Sequence, residues 1–69
     1  MNRTPVSSSN VLSVGYDAKT MKLEVEFKDG AVYQYFDVPA AVYQGLMRAD
    51  SKGAFMHANV SYSYRHPKL

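Results

Sequence analysis

From residue 21 to residue 28 apolar and charged side chains alternate without a break: Met21, Lys22, Leu23, Glu24, Val25, Glu26, Phe27, Lys28. A period of two marks a strand with one buried and one wet face. Asp29-Gly30 then supplies a reversal, and a returning strand over about residues 31–37 carries Tyr33-x-Tyr35. An antiparallel hairpin is thus the element that most constrains the fold. Two registers compete. A two-residue loop, Asp29-Gly30, pairs Val32 with Phe27 and Gln34 with Val25, and puts both tyrosines on the wet face. A three-residue loop, Lys28-Asp29-Gly30, places Gly30 in the left-handed position of a bulge. Ala31 then faces Phe27, Tyr33 faces Val25 and Tyr35 faces Leu23. Slipping by one residue exchanges the two faces. The three-residue loop is favoured, because it puts two large rings on the apolar side. It leaves Val32 and Phe36 on the other face, to be covered by the N-terminal segment or by a partner.

The flanking sequence completes the expected architecture. Val11 to Tyr16 is rich in strand formers, with Leu12, Val14 and Tyr16 on one face, and residues 17–20 turn into the alternating strand. Val38-Pro39 opens a helical segment in which Asp37 is placed to cap. Val42, Leu46 and Ala49 recur at helical spacing over residues 39–49, with Tyr43 and Met47 beside them and Gln44 and Arg48 facing out. Ser51 is positioned to cap a second, shorter helix over residues 52–60, which Gly53 weakens. The predicted fold class is α+β: a three-stranded antiparallel β-meander followed by one longer and one short helix packed on one face. Residues 1–8, polar with Pro5 and serines, read as a flexible N-terminal lead-in, residues 9–66 as the domain and residues 67–69 as a C-terminal tail.

Length and composition narrow the function classes. Sixty-nine residues make at most one domain with a small core. There is no cysteine, hence no disulfide and no thiolate site, and neither His57 nor His66 lies among carboxylates, so no metal is expected. No apolar run approaches a membrane span, and the N-terminus lacks the apolar core of a signal peptide, which makes the cytoplasm the expected location. Catalysis is not expected either. Ser7-Ser8-Ser9 has no glycine elbow or base, no carboxylate pair is spaced for acid–base work, and no glycine-rich phosphate loop is present. No catalytic residue and no cofactor are assigned. The net charge of +2 is too small to announce a nucleic-acid binder, but it is uneven. Residues 1–39 hold four basic and five acidic groups, net −1, whereas residues 40–69 hold Arg48, Lys52, Arg65 and Lys68 against Asp50, net +3.

Ser8-Ser9-Asn10-Val11, Gly15-Tyr16-Asp17, Leu23-x-Val25-x-Phe27, Gly30, Tyr33-x-Tyr35, Val38-Pro39, Val42-Tyr43-x-x-Leu46 and Ser51-x-Gly53 follow one another as an ordered series. Over about residues 7–65 this series resembles the KTSC domain. The resemblance implies a small bacterial domain that also occurs at the C-terminus of some lysyl-tRNA synthetases. It has no established function, and that association suggests RNA, tRNA in particular, as a ligand. Tyr33 and Tyr35 match the family's hallmark pair. The chain departs from the family after Val60, where Ser61 replaces a commonly basic residue and the tail reads Tyr62-Ser63-Tyr64-Arg65 rather than a Tyr-Pro-Tyr-Arg pattern.

Two function classes are carried forward. The first is a non-enzymatic binding module with RNA as ligand, in which Arg48, Lys52 and Arg65 contact phosphates and Tyr62 and Tyr64 stack on bases. The second is a protein-interaction or self-associating module, supported by Val32 and Phe36 on the wet face and by unpaired edge strands. In each case a plainer role competes. Tyr33 and Tyr35 are better explained as core than as a stacking platform, since a helix must cover the face they share with Leu23 and Val25. The tyrosines at 62 and 64 more often dock on their own domain, and Arg48 and Lys52 more often form a solvated face.

Overall fold

The computed structural model describes residues 1–69. Its elements are, in chain order, β1 (Thr4–Pro5), β2 (Val11–Asp17), β3 (Lys22–Phe27), β4 (Val32–Tyr35), α1 (Ala40–Arg48) and α2 (Lys52–Asn59). The four strands form one antiparallel sheet in the order β1-β2-β3-β4. The central hairpin takes the three-residue loop. Leu23 faces Tyr35 and Val25 faces Tyr33, Phe27 donates to the Ala31 carbonyl at 2.9 Å, and Gly30 has φ +94°. Both helices cover the apolar face. Leu46, Met56 and Val60 pack with Val11, Val14, Leu23, Val25, Tyr35 and Val38 in one cluster.

Four strands replace the three expected, because Thr4–Pro5 in the N-terminal lead-in pairs with Val14 and Ser13. Ahead of that pair the chain crosses the outer face of the sheet. A Cβ on Gly15 would stand 2.8 Å from the Asn2 carbonyl and 3.1 Å from Arg3 Cγ, so the close crossing depends on glycine. Arg3 then meets Glu24 at 2.6 Å, and Gln34 donates to the same carboxylate at 3.1 Å. Glu24 is consequently buried, 8% exposed. Glu26 accepts from Ser13 Oγ at 3.0 Å. Alternation predicts a wet face for the charges of this strand; the N-terminal arm roofs two of them.

Three local expectations need correction. A bulge between Val11 and Ser13 resets the period of β2, so Val11 joins Val14 in the core while Leu12 is 43% exposed. Asp37 does not cap α1. It takes φ 60°, a conformation that Asp tolerates, and turns the chain out of β4; Pro39 stands at the N-cap without a side-chain hydrogen bond. Val32 and Phe36 are both half-buried, and the β4 edge is not free, as described below. Ser51 does cap α2, accepting from the Ala54 amide at 3.2 Å. The helices meet where Gly45 lies under the Phe55 ring, with 2.9 Å from a Cβ at 45 to the nearest ring carbon. Tyr16 ties α1 to the sheet: it stacks on Tyr43 at 4.8 Å and donates its hydroxyl to the Val38 carbonyl at 2.6 Å.

Candidate functional site

After α2 the chain turns at residues 60–64 and then runs antiparallel along β4. Phe36 donates to the Arg65 carbonyl at 2.9 Å, Gln34 to Pro67 at 3.2 Å, and Leu69 to Val32 at 2.7 Å, with Tyr33 opposite Lys68. Residues 65–69 thus act as a short fifth strand. Gln34 and Pro67 would exchange two bonds in a regular ladder, but proline has no N–H to return the second. Strand alternation puts His66 and Lys68 on the helix-covered face, in line with Tyr35 and Tyr33. It puts Arg65, Pro67 and Leu69 on the outer face.

On the helix-covered face this strand completes a shallow aromatic hollow of about 240 Å³, lined by Phe27, Tyr33, Tyr35, Ser61, Tyr62 and His66. The His66 ring is 5.2 Å from Tyr35 and 6.1 Å from Tyr33, and the two tyrosines lie 6.3 Å apart with nearly parallel rings. Phe27 meets Tyr33 edge-on at 5.9 Å. Both residues also line a neighbouring hollow of about 340 Å³, with Ser9, Asn10, Lys28, Asp29 and Ala31. Phe27 and Tyr33 are thus common to both hollows, with Lys28 in one and His66 and Tyr62 in the other. Their volumes lie at or below the lower limit of ordinary small-molecule pockets, which suits a flat ring more than an enclosed metabolite.

Tyr35 and Tyr33 divide the core and surface roles between them. Tyr35 is 2% exposed, whereas Tyr33 is half-buried and lines the hollow. Burial pushes the Tyr35 hydroxyl above the ordinary tyrosine value, Ser61 opposes the shift by hydrogen bonding, and Tyr33 adds to it. Tyr16 is raised in the same way, by burial and by the charge of Asp17. His66 Nδ1 lies 2.6 Å from the Tyr64 carbonyl, which orients the ring. No three side chains of His, Asp or Glu gather in a geometry that could hold a metal ion.

The five residues expected to bind nucleic acid do not form one patch. Tyr62 is 82% exposed at the rim of the hollow, edge-on to His57 at 5.5 Å. Tyr64 is half-buried against the core. Arg65 lies on the opposite face of the sheet, its guanidinium 4.6 Å from the centre of the Phe36 ring. Arg48 is exposed in the last turn of α1, where a cation complements the helix dipole. Lys52 donates its ammonium to the carbonyls of Ala49 at 2.9 Å and Met47 at 3.3 Å, closing the C-terminus of α1. The residues absent from the expected site are Phe27, His66 and Lys68. Their signal was the alternation Tyr64-Arg65-His66-Pro67-Lys68, which reads as a strand only when a free β4 edge stands beside it.

Comparison with known proteins gives a consistent picture. The pattern of the KTSC domain matches residues 7–64. The crystal structure of a KTSC domain protein from Yersinia pestis superposes with a TM-score of 0.93 at 40% identity, covering 99% of this chain and 96% of that one. An uncharacterized protein of Stutzerimonas stutzeri is 44% identical over 66 residues, 96% of this chain and 90% of its own length. A lysine–tRNA ligase of Trichormus variabilis is 37% identical over 54 residues, 78% of this chain but 10% of the ligase. No helix of the structure is long and apolar enough to cross a membrane.

Proposed function

The chain belongs to the KTSC domain family, and from that premise we propose that it is a small non-enzymatic binding module whose ligand is RNA. The observation that carries the reading is the aromatic hollow. Tyr62 stands exposed at its rim, Tyr33 and His66 line it, and Lys68 lies in register with Tyr33. An unpaired base stacks on such rings whatever its identity, and neighbouring cations take the phosphates. The occurrence of related sequence within lysine–tRNA ligases favours a tRNA, and hence a cytoplasmic setting. Stacking falls to Tyr62, while Tyr64 packs against the core and anchors the segment that carries it. Phosphate contact falls to Arg65, reached where a strand passes over the edge of the sheet from the hollow, while Arg48 and Lys52 contribute positive charge from the end of α1. The non-enzymatic reading is supported by the lining of the hollow: its titratable groups are tyrosines and one exposed histidine, with no carboxylate to complete an acid–base couple.

The protein-interaction reading has weaker support. The β4 edge is occupied by residues 65–69, and Phe36 lies beneath Lys22 and Arg65. An NMR titration of the labelled protein with a mixed tRNA pool at low and moderate salt tests the RNA reading. Shifts at Tyr33, Tyr62 and His66 that fade with salt are expected, and Tyr62→Ala should weaken binding by about tenfold, within the usual range for one stacked base. A spectrum unchanged by tRNA at low salt overturns it.

A further inference from the structure

The outer face of the sheet carries a second, separate feature. Strand register places Lys22, Phe36 and Arg65 in one row across β3, β4 and the C-terminal strand. Both cations converge on the phenyl ring, Lys22 Nζ at 5.5 Å and the Arg65 guanidinium at 4.6 Å from its centre. Neither has a carboxylate within 4.0 Å; the ion pairs of the chain are Arg3 with Glu24 and Arg3 with Glu26. The remaining acid of the row, Asp17, faces Lys22 in register but turns its Oδ1 to the Lys19 amide at 3.0 Å. The next row along holds Glu24, already engaged by Arg3 and Gln34. Two like charges are therefore brought to one aromatic ring, and neither is engaged in an ion pair. Cation–π attraction, about 0.5–1 kcal/mol for each exposed pair, holds them there.

We propose that Lys22 and Arg65, seated on Phe36, form a binding site for a phosphate group. The inference goes beyond the RNA reading and rests on the geometry of the row rather than on that reading. An arriving phosphate relieves the repulsion between the two cations. It also takes charge-assisted hydrogen bonds from the planar fork of Arg65 and from the Lys22 ammonium. The half-buried ring holds both cationic heads beside it before the ligand arrives, so less side-chain freedom is lost on binding. A carboxylate matches the fork of Arg65 but leaves Lys22 less well used. A phosphate has an oxygen for each cation. Its source is either a nucleic-acid strand that crosses the edge of the sheet from the hollow or a free phosphate ester.

Pyrophosphate and a short oligouridylate, titrated separately into the nitrogen-labelled protein, test the site. Pyrophosphate should shift the Lys22, Phe36 and Arg65 amides and the Arg65 Nε–H signal. Lys22→Ala and Arg65→Gln should each weaken that binding by about tenfold, as expected for one charge-assisted contact. Phe36→Leu, which keeps the apolar bulk and removes the π face, should weaken it a few-fold. Lys19→Ala, an exposed lysine outside the row, should leave it unchanged. If the oligouridylate shifts the same signals and is weakened by the same variants, the phosphate is that of a nucleic acid. If pyrophosphate alone does so, the site serves a free phosphate ester, and it stands even where the RNA reading fails. Silence of the row toward both ligands overturns the proposal, as does unchanged pyrophosphate affinity in Lys22→Ala and Arg65→Gln. RNA binding that Tyr62→Ala weakens and these two variants spare would leave the hollow as the RNA site and restrict this one to free phosphate esters.

Discussion

Gly30 ends the Lys28-Asp29-Gly30 loop at φ +94°, and a Cβ there would meet nothing within 4 Å. The consequence of Gly30→Ala is therefore conformational rather than steric. Forcing an L-residue into that region should destabilise the fold by about 1–2 kcal/mol, read as a shifted urea midpoint at unchanged slope. A loss within error would mean the loop re-forms with another turn. Tyr35 sets a second expectation. Its hydroxyl titrates above the ordinary value when folded, chiefly because it is buried, and Tyr16 behaves likewise. The unfolded chain then releases these protons first, so the stabilising contribution is complete below about pH 10 and is lost as pH rises through the folded values. Urea unfolding at neutral pH and at steps above pH 10 should show stability falling with pH. Tyr35→Phe should flatten part of that fall. An equal slope in wild type and variant would exclude Tyr35 as its origin. Gly30 was legible in the sequence because a three-residue loop needs a left-handed residue at its end. Asp37 was not, because capping and a left-handed turn both draw on the same short carboxylate side chain, and only the position of β4 decides between them.

At the scale of elements, the alternating strand and its partner could be read directly, since a period of two and the wish to bury two tyrosines fix one register. The bulge in β2 escaped because it breaks that period: alternation puts Leu12 on the face of Val14, whereas Leu12 is exposed and Val11 joins Val14. The N-terminal arm escaped for a different reason. It is held by two residues of strand and by an ion pair between positions 3 and 24, a contact that no local pattern announces. Arg3→Ala tests the arm. Glu24 then keeps its partner Gln34 but loses its cation. Since the arm can lift and admit water, the expected loss is about 1 kcal/mol rather than the larger penalty of a sealed unpaired charge. Pairing Arg3→Ala with Glu24→Gln in a double-mutant cycle should recover most of that loss, and simple additivity would show that the two side chains are not coupled. The hollow was half legible for similar reasons. Its tyrosines were visible as a motif and Tyr62 as an exposed ring, but His66 and Lys68 join them only through the long-range pairing of residues 65–69 with β4.

At the scale of the whole molecule, the question is how a sheet this small avoids joining its neighbours. One edge ends at β1, two residues long and closed by Pro5, which offers little to pair with. The other edge, β4, would present the amides of Gln34 and Phe36 and the carbonyl of Val32, but residues 65–69 occupy all three. Pro67 keeps that cover from being a full ladder, so it is the weaker of the two defences. Removing residues 65–69 should have two coupled effects. Three backbone hydrogen bonds disappear and Phe36 loses Arg65, which should lower stability by about 1–3 kcal/mol after the ordering entropy of the strand is set against them. The exposed β4 edge should also associate, so sedimentation of the truncated chain should show dimers that grow with concentration while the full chain stays monomeric. Phe36→Asp in the full chain bears on the same point. If Phe36 were an interface residue, the substitution would dissolve an existing dimer. If instead it is the seat of two cations on a covered edge, the oligomeric state should not change. A full chain that already dimerises, and separates on Phe36→Asp, would return the self-association reading to first place. A truncated chain that remains monomeric and as stable as the whole would mean that residues 65–69 do not protect the edge.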